Sequence, residues 1–279
     1  MSRGVAATYG WIENRPTQGR RALQLGELWQ YREVVAFLAL RDLKIRYKQA
    51  AFGLSWTVIQ PLAGALVFAL VFNRLAKVSS GAVPYPAFAL LGFGVWTYFS
   101  TTLIITTNTF VQNATLITRV YFPRLAAPLA SVLPGVVGLV VSLLLLGVFM
   151  IGYSIVPGVA ILTLPGWILV LVAVTFGVGL FLATLNVKYR DANNAYTLLI
   201  QVWLFASPVA YPPNLVHGNW QYLYYLNPMA GILGGFRWAL FNTPVSATLV
   251  AESLAVGGIV LALALGYFLR VERQFADVI

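Results

Sequence analysis

An all-α integral membrane protein is the fold class this sequence predicts, and three observations predict it. Of 279 residues, 59% are hydrophobic and only 9% are charged, whereas a soluble domain carries about 25% charged residues. Mean hydropathy is +0.80. The apolar residues also gather into runs of about twenty, the length needed to cross roughly 30 Å of hydrocarbon. The expected architecture is six transmembrane helices with an N-terminal amphipathic interfacial helix and re-entrant helices between spans five and six.

Residues 1–21 read as a flexible cytoplasmic tail. Arg3, Glu13, Arg15, Arg20 and Arg21 leave no apolar h-region there, so a cleavable signal peptide is not expected. Residues 22–49 hold an amphipathic interfacial helix and a basic collar. Leu25, Leu28, Tyr31, Val35 and Leu38 recur at spacings of three and four, which places them on one helical face. The stretch is too charged to span, and it either lies in the interface plane or packs against protein. The collar carries Arg41, Lys44, Arg46 and Lys48, with Asp42 placed to pair with Arg46 at i+4. Such a face meets the anionic cytoplasmic leaflet, at about 1 kcal/mol per basic residue, or it cradles a phosphate-bearing lipid.

Residues 50–279 form the six-span domain, with spans expected at about 55–75, 88–107, 126–153, 164–186, 195–211 and 247–269. The third is long enough to tilt, and the fifth is short. Fifteen of the 18 Lys and Arg residues then collect on one side, which puts both termini in the cytoplasm. The connector 212–245 contains Pro212, Pro213, Pro228 and Pro244, yet 222–241 is apolar and aromatic and is interrupted by Gly231, Gly234 and Gly235. A re-entrant segment is expected over about 213–241, as two short helices split near Asn227-Pro228. Backbone can dip into a membrane without crossing when protein or a water-filled cavity surrounds it. The alternative is an aromatic hairpin lying on the outer surface.

Several chemistries are missing from the sequence. It has no Gly-Lys dipeptide and therefore no P-loop. It has no cysteine, no HExxH and no GxSxG, and its single histidine, His217, reads as an ordinary surface imidazole. Glu252 lies near the outer end of the sixth span and Asp191 in a cytoplasmic turn, so no carboxylate pair stands ready for ion coupling. The net charge of +10 is spread around the spans and forms no groove-sized patch. Neither a nucleic-acid partner, nor a metal, nor an enzymatic activity on this chain is expected.

Two features remain. Tyr85, Trp96, Tyr98, Phe99, Trp203 and Phe205 either belong to an interfacial belt or line a channel in which aromatic faces support sugar rings. The connector 113–124, NATLITRVYFPR, is mixed basic and aromatic. It forms either a short helix that docks into a cytosolic partner or a plain turn with positive-inside anchors.

Four stretches carry a family resemblance. These are RDLKIRYKQAAFGLSWTVIQPL at 41–62, LITRVYFPRLAAPLASVL at 116–133, LNVKYRDANNAY at 185–196 and YLNPMAGILGGFRWALF at 225–241. In that order they resemble ABC-2 type export permeases of the polysaccharide and polyol-phosphate branch, the transmembrane subunits of O-antigen, capsule and teichoic-acid exporters. The likeness covers the chain from about Leu25 onward. It implies a homodimer in the bacterial cytoplasmic (inner) membrane, with two cytosolic ABC ATPase subunits that carry ATP and Mg and no cofactor on this chain. The implied cargo is an undecaprenyl-pyrophosphate-linked or similar lipid-linked glycan, moved outward between the two permeases. The substrate headgroup is then held at the entrance by Arg41, Lys44, Arg46 and Lys48. ATPase coupling falls to Arg119, Tyr121, Phe122, Pro123 and Arg124, and the outer gate to Asn227, Pro228, Gly234, Gly235, Phe236 and Arg237. The alternatives are an ABC-2 permease for a drug or small lipid, and a membrane enzyme acting on lipid-linked sugars.

Overall fold

A computed structural model of the protein describes residues 25–48, 55–120, 122–189, 192–215, 218 and 220–272. Every regular element among them is helical. Two helices come first, α1 (Leu25–Gln30) and α2 (Arg32–Lys48). Then follow α3 (Ser55–Phe68), which continues as a π-helix over Ala69–Leu75, and α4 (Tyr85–Thr107). Two short helices, α5 (Thr109–Gln112) and α6 (Ala114–Arg119), lead into α7 (Ala126–Gly152). A 3-10 turn (Val159–Thr163) precedes α8 (Leu164–Lys188), α9 covers Ala192–Ala206, and a second, three-residue 3-10 turn follows at Pro213–Leu215. The chain closes with α10 (Trp220–Tyr225), α11 (Pro228–Phe241) and α12 (Ala247–Val271).

Five helical segments are long and apolar enough to cross a membrane: Ser55–Leu75, Tyr85–Thr107, Ala126–Gly152, Val159–Lys188 and Ala247–Val271. They fall where spans one to four and six are expected. The second begins one turn early because Pro84 caps a helix whose Pro86 sits in its first turn, where a missing N–H costs nothing. At 15 residues, α9 reaches only about 22 Å, short of a hydrocarbon core.

Helix α4 is the post around which the others pack, against α7, α8 and α3. Its residues Phe88, Leu90, Val95, Phe99 and Leu103 are almost wholly buried. Close approach is possible because the touching surfaces are small. A side chain at Gly94 would strike Ser142 of α7, and one at Gly177 of α8 would press on Leu261 of α12. In lipid, where apolar contact with tails is as favourable as contact with protein, such close packing is what holds helices together. By contrast α3 and its π-helical continuation are mostly bare, with Leu66, Val67 and Leu70 exposed.

The amphipathic stretch is two helices meeting at Tyr31. Val35 and Leu38 of α2 are buried against Phe122, Ala126, Ala127 and Ala130. Its other side leaves Phe37, Leu40 and Ile45 exposed. One face therefore packs on protein, while a second apolar face remains uncovered in this subunit.

Candidate functional site

The turn after α9 is tied by side chains from several elements. Pro208 has no N–H to continue a helix, so the last carbonyls of α9 lose their ordinary partners. Side chains from elsewhere supply them. Tyr211 donates to the Phe205 carbonyl (3.1 Å), Asn227 Nδ2 to that of Ala206 (3.1 Å), and Tyr85 to that of Ala210 (2.6 Å). Arg237 Nη2 donates to the carbonyls of Pro208 (2.6 Å) and Val209 (3.1 Å). Residues 207–210 are buried.

Helix α11 presents this clamp. Asn227 caps it by accepting from the Met229 N–H at 3.0 Å, the favoured role of Asn at an N-cap. The same Oδ1 accepts from Trp203 of α9 at 3.0 Å, and Nδ2 donates to Ser207 Oγ at 2.9 Å. Pro228 holds the first helical position. Asn242 ends the helix in the left-handed conformation, φ 54°, which Asn tolerates. Every residue of α11 except Trp238 is buried, among α8, α12, α4 and the 3-10 turn before α8. Gly234 meets Val245, and Gly235 lies against the indole of Trp167 with no room for a Cβ. Phe236 is fully buried.

Arg237 is 3% exposed. Its guanidinium carbon lies 3.7 Å from the centre of the Phe88 ring, a close cation–π contact. Among the described residues its Nε and Nη1, and the hydroxyl of nearby Tyr224, have no hydrogen-bond partner. A fixed cation thus sits inside an apolar bundle, held by carbonyl dipoles and an aromatic face.

The expected aromatic set divides. Tyr85, Trp96, Tyr98 and Phe99 are buried in the core of the single subunit. Trp203 stacks edge-on against Phe99 at 5.1 Å. Phe205 is 64% exposed, on the same bare side of α9 as Val202.

At the other end of the bundle the connector expected to dock a partner forms α6, directly after α5. Arg119, in the last turn of α6, is exposed, whereas Phe122 is buried against α2 and α7. Pro123 leads into the turn before α7, and Arg124 Nη1 donates to the backbone carbonyl of Glu272, just past α12. Tyr121 lies outside the described residues, as do Arg190, Asp191 and His217. The collar also divides. Arg41 bonds Asp42 at 2.7 Å and Asn113 at 2.7 Å. Lys44 and Lys48 are exposed. Arg46 faces a cleft between α3, α4 and α7.

Sequence reading missed a polar knot near this end. Asn186 of α8 donates to the Thr107 carbonyl and to Asn108 Oδ1, both at 3.2 Å, and Asn108 Nδ2 donates to Tyr196 of α9 at 2.7 Å. The available signal was two Asn residues at the ends of two apolar spans.

A family model for ABC-2 type transporters matches residues 33–241. The chain belongs to the ABC-2 type transporter family. As an ABC-2 chain it is the multi-pass membrane part of a transporter. It is also similar over nearly its whole length to curated relatives. One, from Klebsiella pneumoniae, is the O-antigen export system permease protein RfbA, 24% identical over 88% of this chain and 95% of its own. Another of the same name, from Myxococcus xanthus, is 28% identical over 90% of this chain and 97% of its own. The ABC-2 match runs from the first turn of α2 to the last residue of α11, so it takes in the collar, the connector and the clamped turn together.

Proposed function

We propose that this chain is the permease subunit of an ATP-driven exporter that moves an O-antigen-type lipid-linked glycan across the bacterial cytoplasmic membrane. The observation that carries the reading is its end-to-end similarity to O-antigen export permeases. In this reading two copies form the path. Two separate ATPase subunits bind ATP and Mg, since this chain lacks a P-loop. Both termini lie in the cytoplasm, where most of the basic residues collect.

Helix α9 and its turn serve as the fifth of six crossings, and α10 and α11 re-enter from the outer side. The capped carbonyls at 205–210 support this, because broken helices persist at membrane depth only where protein supplies their hydrogen bonds. The gate is then the clamped unit of α11 and the α9 turn, with Asn227, Pro228, Gly234, Gly235, Phe236 and Arg237 as its parts. Among the aromatics, Phe205 is the ring free to meet a sugar. Arg119 is the exposed cation on the connector that meets the ATPase, and Arg41, Lys44, Arg46 and Lys48 stand at the entrance.

Deleting the gene tests the reading. A carrier-lipid-linked glycan should accumulate on the cytoplasmic side, and an ATPase-dead partner should give the same product. Accumulation of a small lipid or drug, with glycan export intact, would reject it.

A further inference from the structure

Helix α9 touches its own subunit through a narrow stripe. Among its described residues, Tyr196 and Ile200 are buried. Trp203 is half-buried against the core, and buried Ser207 follows in the turn. Spacings of four, three and four put these residues on one side. Leu198, Leu199, Val202 and Phe205, on the other sides, are exposed. In lipid an apolar side chain gains about as much from acyl tails as from a neighbouring helix. The apolar part of the stripe therefore does little to fix where α9 stands along its axis, and the hydrogen bonds at its two ends decide it.

Those bonds lead to two different places. At one end the Tyr196 hydroxyl accepts from Asn108 Nδ2 at 2.7 Å. Asn108 ends α4 and begins α5. Its Nδ2 also donates to the Ile104 carbonyl at 2.9 Å, and its Oδ1 accepts from Asn186 at 3.2 Å. Both amide hydrogens and the amide oxygen are thus engaged, and the orientation of the group is set. Its backbone carbonyl accepts from the Gln112 N–H at 2.9 Å, and Asn113, the next residue, opens α6. At the other end Trp203 Nε1 donates to Asn227 Oδ1 at 3.0 Å, and Asn227 caps α11. Two turns of helix, about 10 Å, separate the two bonded side chains.

We infer that Tyr196 and Trp203 are positioning residues for export, and that α9 carries a displacement of the connector, through Asn108, to the N-cap of α11. The inference rests on the proposed function, in which the connector meets the ATPase and α11 belongs to the gate. Neither side chain touches the cargo in this role. A shift of Asn108 draws the Tyr196 hydroxyl with it, α9 moves as a rod, and Trp203 pulls on the amide that starts α11.

The test uses the full chain with its ATPase partner in nanodiscs. The protein has no cysteine, so Leu226→Cys, at an exposed position beside Asn227, reports on the gate through its rate of labelling by a thiol reagent. ATP with Mg should change that rate by roughly fivefold or more, the low end of ordinary coupling between sites. Tyr196→Phe removes one hydroxyl at one end of α9, and Trp203→Phe removes the indole N–H at the other. Each should cut the ATP response to less than about twofold, below that range, with ATPase binding, ATP hydrolysis and melting temperature unchanged. Thr175→Val, which removes a buried hydroxyl bonded within α8, is the control and should keep the response. A full response in both α9 variants overturns the inference while the export reading stands. Loss of the response together with a lower melting temperature, or an equal loss in Thr175→Val, makes the effect structural and overturns it too. If Leu226→Cys alone shows no ATP response, α11 is not the gate, and that part of the export reading falls together with the route.

Discussion

Arg237 has two donor nitrogens without partners among the described residues and yet keeps its charge inside the bundle. Three contacts hold it there: two carbonyls and the Phe88 face. Lysine could not reproduce them, because a compact ammonium lacks the flat surface that lies on the ring while the fork reaches the carbonyls. In Arg237→Met the carbonyls of Pro208 and Val209 are orphaned at about 1–3 kcal/mol each. Relief of the buried charge returns only part of this. The parent protein has no cysteine, so Ser207→Cys gives a clean reporter in the clamped turn. Ser207 is fully buried, and this thiol should label slowly. Adding Arg237→Met should speed labelling at least tenfold, and an unchanged rate would mean the clamp does not hold the turn. The sequence singled out Arg237 through its motif. Its partners lie 28 and 29 residues away, and no local pattern connects them.

Among the elements, the long spans were legible because each depends only on a local run of apolar residues. Their ends lie within a few residues of expectation. The division of the collar was not legible. Helical spacing put Arg41, Lys44 and Lys48 on one face, but which cation meets Asn113 and which meets the cleft depends on how α2 seats on α7. The same holds for Gln60 of α3 and Thr97 and Thr101 of α4, ordinary polar interruptions until the two helices line one cleft with them. The connector shows why this matters for experiment. Arg119 is exposed while Arg124 anchors the end of α12. Arg119→Glu should weaken co-purification of the ATPase without changing the melting temperature, and Arg124→Glu should lower both. Equal co-purification with Arg119→Glu would remove α6 from the docking surface. On α11, Gly235→Leu drives a side chain into the Trp167 ring, and overpacking of this kind costs about 1–3 kcal/mol or more. Folded yield should fall, and an unchanged yield would show that α11 can shift off α8.

For the whole molecule, the number of crossings depends on α9. If it crosses, the segment before α12 lies on the opposite side from the end of α8. Pro244 and Lys188 are both exposed. In whole cells, Pro244→Cys should react with a membrane-impermeant thiol reagent, and Lys188→Cys should react only after permeabilisation. Protection of both would mean five crossings. The single subunit also leaves apolar faces on α3 and α9 uncovered, with Leu66, Val67, Leu198 and Val202 exposed. Those faces are where lipid or a second copy must lie, and hydropathy alone could not tell them from the buried faces of α4.

The buried cation also bears on how the protein is made. A nascent α11 offered to lipid by itself would carry Arg237 at about 2.5–3.5 kcal/mol, on a helix of only 14 residues with three glycines. Every contact that offsets this comes from chain already synthesised: Phe88 of α4 and the turn after α9. In the proposed re-entrant topology the segment should therefore wait at the membrane surface during translation and enter only when those partners have assembled. Variants at the clamped turn should then be lost to quality control before they are lost to transport.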